Sequence, residues 1–146
     1  MNILIIDAQG GGIGRQLIAA VREALPEARI TAVGTNSAAT ANMLRAGAHE
    51  AATGENPVTV CCARADVIAG PAGIIMADAM LGEITPRMAL AVAQSRAQKV
   101  LLPFNQCGTV IVGVTEKSMG ALVQSAADEI KRLAEKIVDK NRPSGI

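Results

Sequence analysis

Residues Asn2–Val21 read NILIIDAQGGGIGRQLIAAV. The reading of the fold turns on this stretch. Met1–Asp7 holds a continuous run of Ile and Leu bounded by Asn2 and Asp7, which is the pattern of a strand buried on both faces of a parallel sheet. Leu17, Ile18, Val21 and Leu25 then recur at helical spacing up to Pro26. Between them lies AQGGGIG, a glycine turn that leads from strand to helix. Such a turn brings bare backbone amides and the positive end of a helix dipole to one spot, where an anion is welcome.

Working outward, strands and helices alternate. A second strand is expected over Arg29–Val33, then a helix over Ser37–Arg45 that stops at Gly47. A short third strand lies in HEAATGEN, followed by a helix with Asn56 as N-cap and Pro57 at its first position. Asp66–Ala69 reads as the fourth strand. The long connection after it holds a helical piece ending near Gly82, and a fresh helix starts at Thr85 and Pro86. Lys99–Pro103 is the fifth strand. Thr109–Val114, after the turn NQCG, reads as a sixth, pairing antiparallel with the fifth as an edge hairpin. A last helix spans Ser118–Lys140 with Leu122, Ala126, Ile130, Leu133 and Ile137 on one face, and residues 140–146 form a frayed tail.

This alternation predicts one α/β domain over residues 1–146: three layers, doubly wound, with a mainly parallel, Rossmann-like sheet of order 3-2-1-4-5 plus the hairpin strand. A flavodoxin-like order is the alternative.

Composition narrows the function. At 146 residues and 50% hydrophobic, the chain can bury a full core. Net charge is +1, with one Phe and no Trp or Tyr, so there is neither a basic face nor a stacking platform for nucleic acid. No apolar run approaches the roughly 20 residues that span a bilayer, and the N-terminus has no basic region of a signal peptide. The three cysteines (Cys61, Cys62 and Cys107) and His49 form no metal-ligand spacing, so no metal is expected. A reducing, cytoplasmic setting is the expectation. Cys61 and Cys62 fit small apolar positions, and Cys107 has no basic neighbour to make it a nucleophile.

Ligands of open α/β sheets sit beyond the carboxyl ends of the strands. The segments there are DAQGGGIG, GTNS, TGEN, GPAG and PFNQCG. From them come the candidate cofactor-binding residues: Gly10, Gly11, Gly12, Ile13, Gly14 and Arg15 for a phosphate, Thr35, Asn36 and Ser37 beyond the second strand, and Gly54, Gly70 and Asn105. Asp7 is expected to brace the glycine loop. The spacing is not GxGxxG, since Arg15 takes the third glycine's place. It is not the short-chain-dehydrogenase GxxxGxG either, since Ala8 takes the first. No carboxylate follows the second strand to clasp a ribose, which leans from NAD towards NADP, with Thr35, Asn36 and Ser37 meeting a 2′-phosphate; capping of the following helix explains Asn36 or Ser37 equally well. Glu55 is the candidate catalytic acid, with the alternative of complementing a helix dipole. Asp78 and Glu83 lie in the long fourth connection, where they either line the same crevice or are solvated.

Together GGGIG, GTNS, ATGEN, GPAGI and LGEITPRMA resemble the DUF3842 family, with Ala8 standing where a glycine is expected. The resemblance covers nearly the whole chain and implies a compact bacterial protein, but it transfers no mechanism. Three functions remain: a module binding NAD(P) or another phosphorylated small molecule, an NADP-dependent reductase using the same crevice, and an interaction protein whose glycine loop is purely structural. Against the reductase, the absence of tyrosine removes Tyr–Lys chemistry. The apolar stripe of the last helix predicts a homodimer.

Overall fold

The computed structural model describes residues 1–104, 108–115 and 117–140. Five strands form one sheet: β1 (Asn2–Asp7), β2 (Arg29–Gly34), β3 (Glu50–Thr53), β4 (Val67–Pro71) and β5 (Gln98–Leu102). The helices are α1 (Gly12–Ala24), α2 (Ser37–Arg45), α3 (Glu55–Cys62), α4 (Pro86–Gln94) and α5 (Met119–Lys140), with a short 3-10 turn at Ala72–Ile75. The order is β3-β2-β1-β4-β5 and every pairing is parallel. This is the expected Rossmann-like order, with the strand order reversing between β1 and β4.

Why β1 lies at the centre follows from its sequence. Alternate residues of a strand face opposite ways. Ile3 and Ile5 therefore enter a core with Leu17, Ile18 and Val21 of α1 and Val123, Ala127 and Ile130 of α5. Leu4 and Ile6 enter a second core with Val58, Ile84, Met88 and Val92, from α3, α4 and the loop before α4. All four β1 side chains are at most 1% exposed. At about 1.5–3 kcal/mol for each such side chain, β1 is a main source of the fold's stability.

The antiparallel edge hairpin is not formed. No strand occurs in the described residues 108–115, and β5 ends the sheet. The reason lies in the backbone: Gly108 and Gly113 adopt φ of 78° and 87°, which break the extended run on either side of Val110–Val112. Propensity had favoured a strand, but two left-handed turns override it. The third helix also starts earlier than its proline suggested. Gly54, not Asn56, is the N-cap of α3, and Pro57 falls at its third position. The apolar stripe of α5 packs against α1, with Val123, Ala126, Ala127, Ile130 and Ala134 buried and Leu122, Leu133 and Ile137 flanking them. The face on which a dimer was expected is therefore largely spent within the monomer. Among the described residues, no helix is long and apolar enough to cross a membrane.

Candidate functional site

The loop between β1 and α1 is built by hydrogen bonds that sort its amides. Asp7, 3% exposed, accepts the Ala8 N–H at 2.8 Å on Oδ1 and the Gly14 N–H at 2.7 Å on Oδ2. Burial pushes the Asp7 carboxyl up from its ordinary range. The N–H groups of Gly14, Ala8 and Ile13 pull it back in part, and the charge of Glu83 adds to the rise. Asp7 thus braces the loop, as its position at the end of β1 suggested. In doing so it occupies the Gly14 amide in the first turn of α1, one of those a phosphate was expected to take.

Two glycines of the loop are structural. Gly11 has φ 70° and is the N-cap of α1; a Cβ there would lie 2.8 Å from Ala39 Cα. At Gly14 a Cβ would lie 2.5 Å from the Met43 sulfur and 3.0 Å from Asp7 Cβ. Gly10 and Gly12 are different. Neither has a left-handed φ, and nothing lies within 4 Å of where a Cβ would sit. Their N–H groups make no hydrogen bond among the described residues. Two asparagines hold the loop's carbonyls: Asn36 Nδ2 donates to Gln9 O at 2.9 Å, and Asn42 Nδ2 donates to Gly10 O at 2.8 Å. In front of the loop is a cavity of about 240 Å³, bounded by Asp7, the glycines, Ile13, Gln16, Phe104 and Met119.

The residue that sequence reasoning undervalued is Glu83. Its carboxylate accepts the Gln9 N–H at 3.1 Å on each oxygen. Oε1 also accepts Thr35 Oγ1 at 2.8 Å and Asn36 Nδ2 at 2.7 Å. Burial works to raise its carboxyl, but the donors from Asn36, Thr35 and Gln9 outweigh it and hold it below the ordinary range. Glu83 reaches this point from a coiled segment in which Asp78, Met80, Leu81 and Gly82 all have φ between 55° and 86°. Such angles strain non-glycine residues. Buried Ala79, Met80 and Ile84 anchor the coil, and the Asp78 N–H donates to Ile84 O at 2.7 Å. The one signal for Glu83 in the sequence was its place in the long connection after β4, beside the switch point.

The remaining candidates divide. Thr35 and Asn36 are at the crevice but turn to Glu83, and Asn36 caps α2 by accepting the Ala39 N–H at 2.9 Å. Ser37 is an exposed residue in the first turn of α2, and Arg15 is exposed in the first turn of α1. Ile13 is buried in the core. Gly54 has φ 107° and donates its N–H to Gly34 O at 2.9 Å. Gly70 is buried, and a Cβ there would stand 2.3 Å from Ile6 O, so strand packing alone accounts for it. Glu55 accepts Thr85 Oγ1 at 2.6 Å and lies 3.7 Å from Arg87 Nη1. Since Thr85 caps α4, Glu55 ties α3 to α4. Asn105 and Cys107 lie outside the described residues. Among the described residues, no group of three or more His, Cys, Asp or Glu could hold a metal ion.

The family model described as "Domain of unknown function (DUF3842)" matches residues 2–135. The chain belongs to this family. No curated protein matches it. Among solved structures, the family member is similar to a dodecameric FMN-dependent UbiX-like decarboxylase from Escherichia coli O157:H7. Identity is 13%, 94% of each chain is covered, and the TM-score is 0.44.

Proposed function

We propose that this protein is a nucleotide-binding module that takes NAD(P) or a related phosphorylated small molecule, with a phosphate against Gly10 and Gly12. The observation that supports this reading is the pair of glycines that the protein itself does not require. Neither conformation nor packing calls for glycine at these positions, and among the described residues both N–H groups are unspent, beside a cavity at the start of a 13-residue helix. Close approach of a ligand to the backbone is what such a position serves. The donors are few, because Asp7, Glu83 and the Ala8 carbonyl consume the others, so the site suits one phosphate edge rather than a full wrap of amides.

The reductase reading gains nothing from Glu55, whose carboxylate is spent on joining two helices. A thermal-shift series with inorganic pyrophosphate, ADP, NAD, NADP and FMN tests the proposal, repeated on Gly12→Val. Saturation at a hundredfold excess over Kd stabilises the fold by about 3 kcal/mol. A shift in the wild type that disappears in the variant is the expected result. No shift with any of them overturns it and leaves the loop as a turn.

A further inference from the structure

We infer that Glu83 is the ribose-reading residue of this site, so that the preferred ligand carries a free 2′,3′-diol and a 2′-phosphate is rejected. The inference rests on the nucleotide reading above and deepens it. In Rossmann-type dinucleotide sites, an acid at the end of the second strand accepts hydrogen bonds from the ribose hydroxyls. Here the end of β2 is Gly34-Thr35-Asn36, with no acid. The fold delivers a carboxylate to that place from a distant segment, since Glu83 is bonded to both Thr35 and Asn36. It is bonded to Gln9 as well, next to Gly10 in the glycine loop. The Glu83 carboxylate is therefore bonded to the residue that precedes Gly10, and the proposed diol acceptor and phosphate donors meet at one loop.

The distribution of bonds shows what remains to be used. Among the described residues, Oε1 takes three donors, whereas Oε2 shares only the Gln9 N–H. An ionised carboxylate has about four acceptor positions, so Oε2 retains capacity for a hydroxyl. Thr35 and Asn36, the residues that suggested a 2′-phosphate, have given their donors to Glu83. A phosphate placed there would meet a fixed negative charge and few free N–H or O–H groups. The surrounding donors also fix the side chain before any ligand arrives, which removes the ordering cost of a free glutamate. The strained coil from Asp78 to Gly82 has a role in this account, since it turns the chain back so that Glu83 reaches β2.

The test is calorimetric titration of the full chain with pyrophosphate, ADP, 2′-deoxy-ADP, NAD and NADP, for wild type and Glu83→Gln. Glutamine keeps one carbonyl acceptor for Thr35 and Asn36, and the thermal midpoint of the free variant checks its fold. The inference expects the wild type to prefer ADP to 2′-deoxy-ADP, and NAD to NADP, by on the order of tenfold to a hundredfold, the worth of a hydrogen bond to a charged group. In Glu83→Gln both preferences collapse, while pyrophosphate, relieved of a nearby negative charge, binds at least as tightly as to the wild type. If the wild type binds pyrophosphate but treats ADP and 2′-deoxy-ADP alike, the diol reading is overturned and the phosphate reading stands. Discrimination that survives in Glu83→Gln also overturns it. If pyrophosphate does not bind but ADP is still preferred through Glu83, the glycine loop is the part that fails. No binding by any probe overturns both. Should Glu83→Gln fail to fold, the wild-type comparison of ADP with 2′-deoxy-ADP decides alone.

Discussion

The Asn36 side chain donates to the Glu83 carboxylate at 2.7 Å across 47 positions of sequence. This bond and its neighbours hold the Glu83 carboxyl below its ordinary value of 4.5. The unfolded chain therefore takes up the proton first as pH falls. The stability that Glu83 contributes is present above about pH 4.5 and is lost as pH falls through the folded value. Comparing urea midpoints of wild type and Glu83→Gln should show a constant gap from neutral pH to about 5.5 and a shrinking one below about 4.5. A gap that stays flat into strong acid would mean that the bonds do not favour the charged form.

Asp7 has the opposite sign. Its carboxyl is raised above 3.8 by burial, so its favourable contribution belongs to acid and fades as pH rises through the folded value. At neutral pH its worth lies in the N–H groups it satisfies. Asp7→Asn would turn an NH₂ towards the Ala8 or Gly14 N–H, setting donor against donor. We expect a loss of about 1–3 kcal/mol, read as a lower urea midpoint at unchanged slope. A stability equal to wild type would show that the buried charge costs as much as its bonds return.

Gly12→Ala and Gly70→Ala should behave as opposites. At Gly12 the added methyl meets nothing within 4 Å in a helix, so stability is unchanged or rises by up to about 1 kcal/mol. At Gly70 the methyl would stand 2.3 Å from the Ile6 carbonyl at the centre of the sheet, and a loss of about 2 kcal/mol or more follows from forcing strands apart. Calorimetric melting of the two variants reads this directly. Equal losses would mean that Gly12 is as structural as Gly70.

Thiol reactivity gives a third kind of test. Burial, with the neighbouring Cys61 adding to it, pushes the Cys62 thiol up to about 11, and burial followed by the charge of Glu50 raises Cys61. At pH 7.5 the thiolate of Cys62 is on the order of one part in several thousand. In a Cys107→Ser background, native protein should react with a thiol reagent far more slowly than urea-unfolded protein. Cys62 should be the last to label by mass spectrometry. Rapid native labelling at Cys62 would place it at an opening of the α3–α4 face.

The β1–loop–α1 unit was legible from residues 2–21 because local sequence controls it: an unbroken apolar run in β1, glycine at the turn, 3.6-residue spacing in α1. The cap at Thr85 was legible for the same reason, since a cap bonds within three residues, and the cap of α2 was narrowed to Asn36 or Ser37, of which the structure uses Asn36. The edge strand was misread at Val110–Val112, where β propensity is strong but two glycine angles decide. Glu55 and Gly70 looked functional because both stand beside strand ends. Only their distant partners, Thr85 and Ile6, show them to be joints of the framework.

By itself the sequence determined the alternation of strands and helices through β5 and their order 3-2-1-4-5, and it pointed to the carboxyl edge of the sheet as the place to look for a site. Period and glycine placement are local properties, and right-handed crossovers leave few arrangements for them. Tertiary structure decided which groups at that edge are free. Whether an amide or a carboxylate is spent depends on a partner up to 74 positions away, as with Gln9 and Glu83. Hydrogen bonds act over about 3 Å of space, whatever the distance along the chain. The chain therefore announces its glycine loop openly, and only the fold shows that Asp7 and Glu83 already hold most of it.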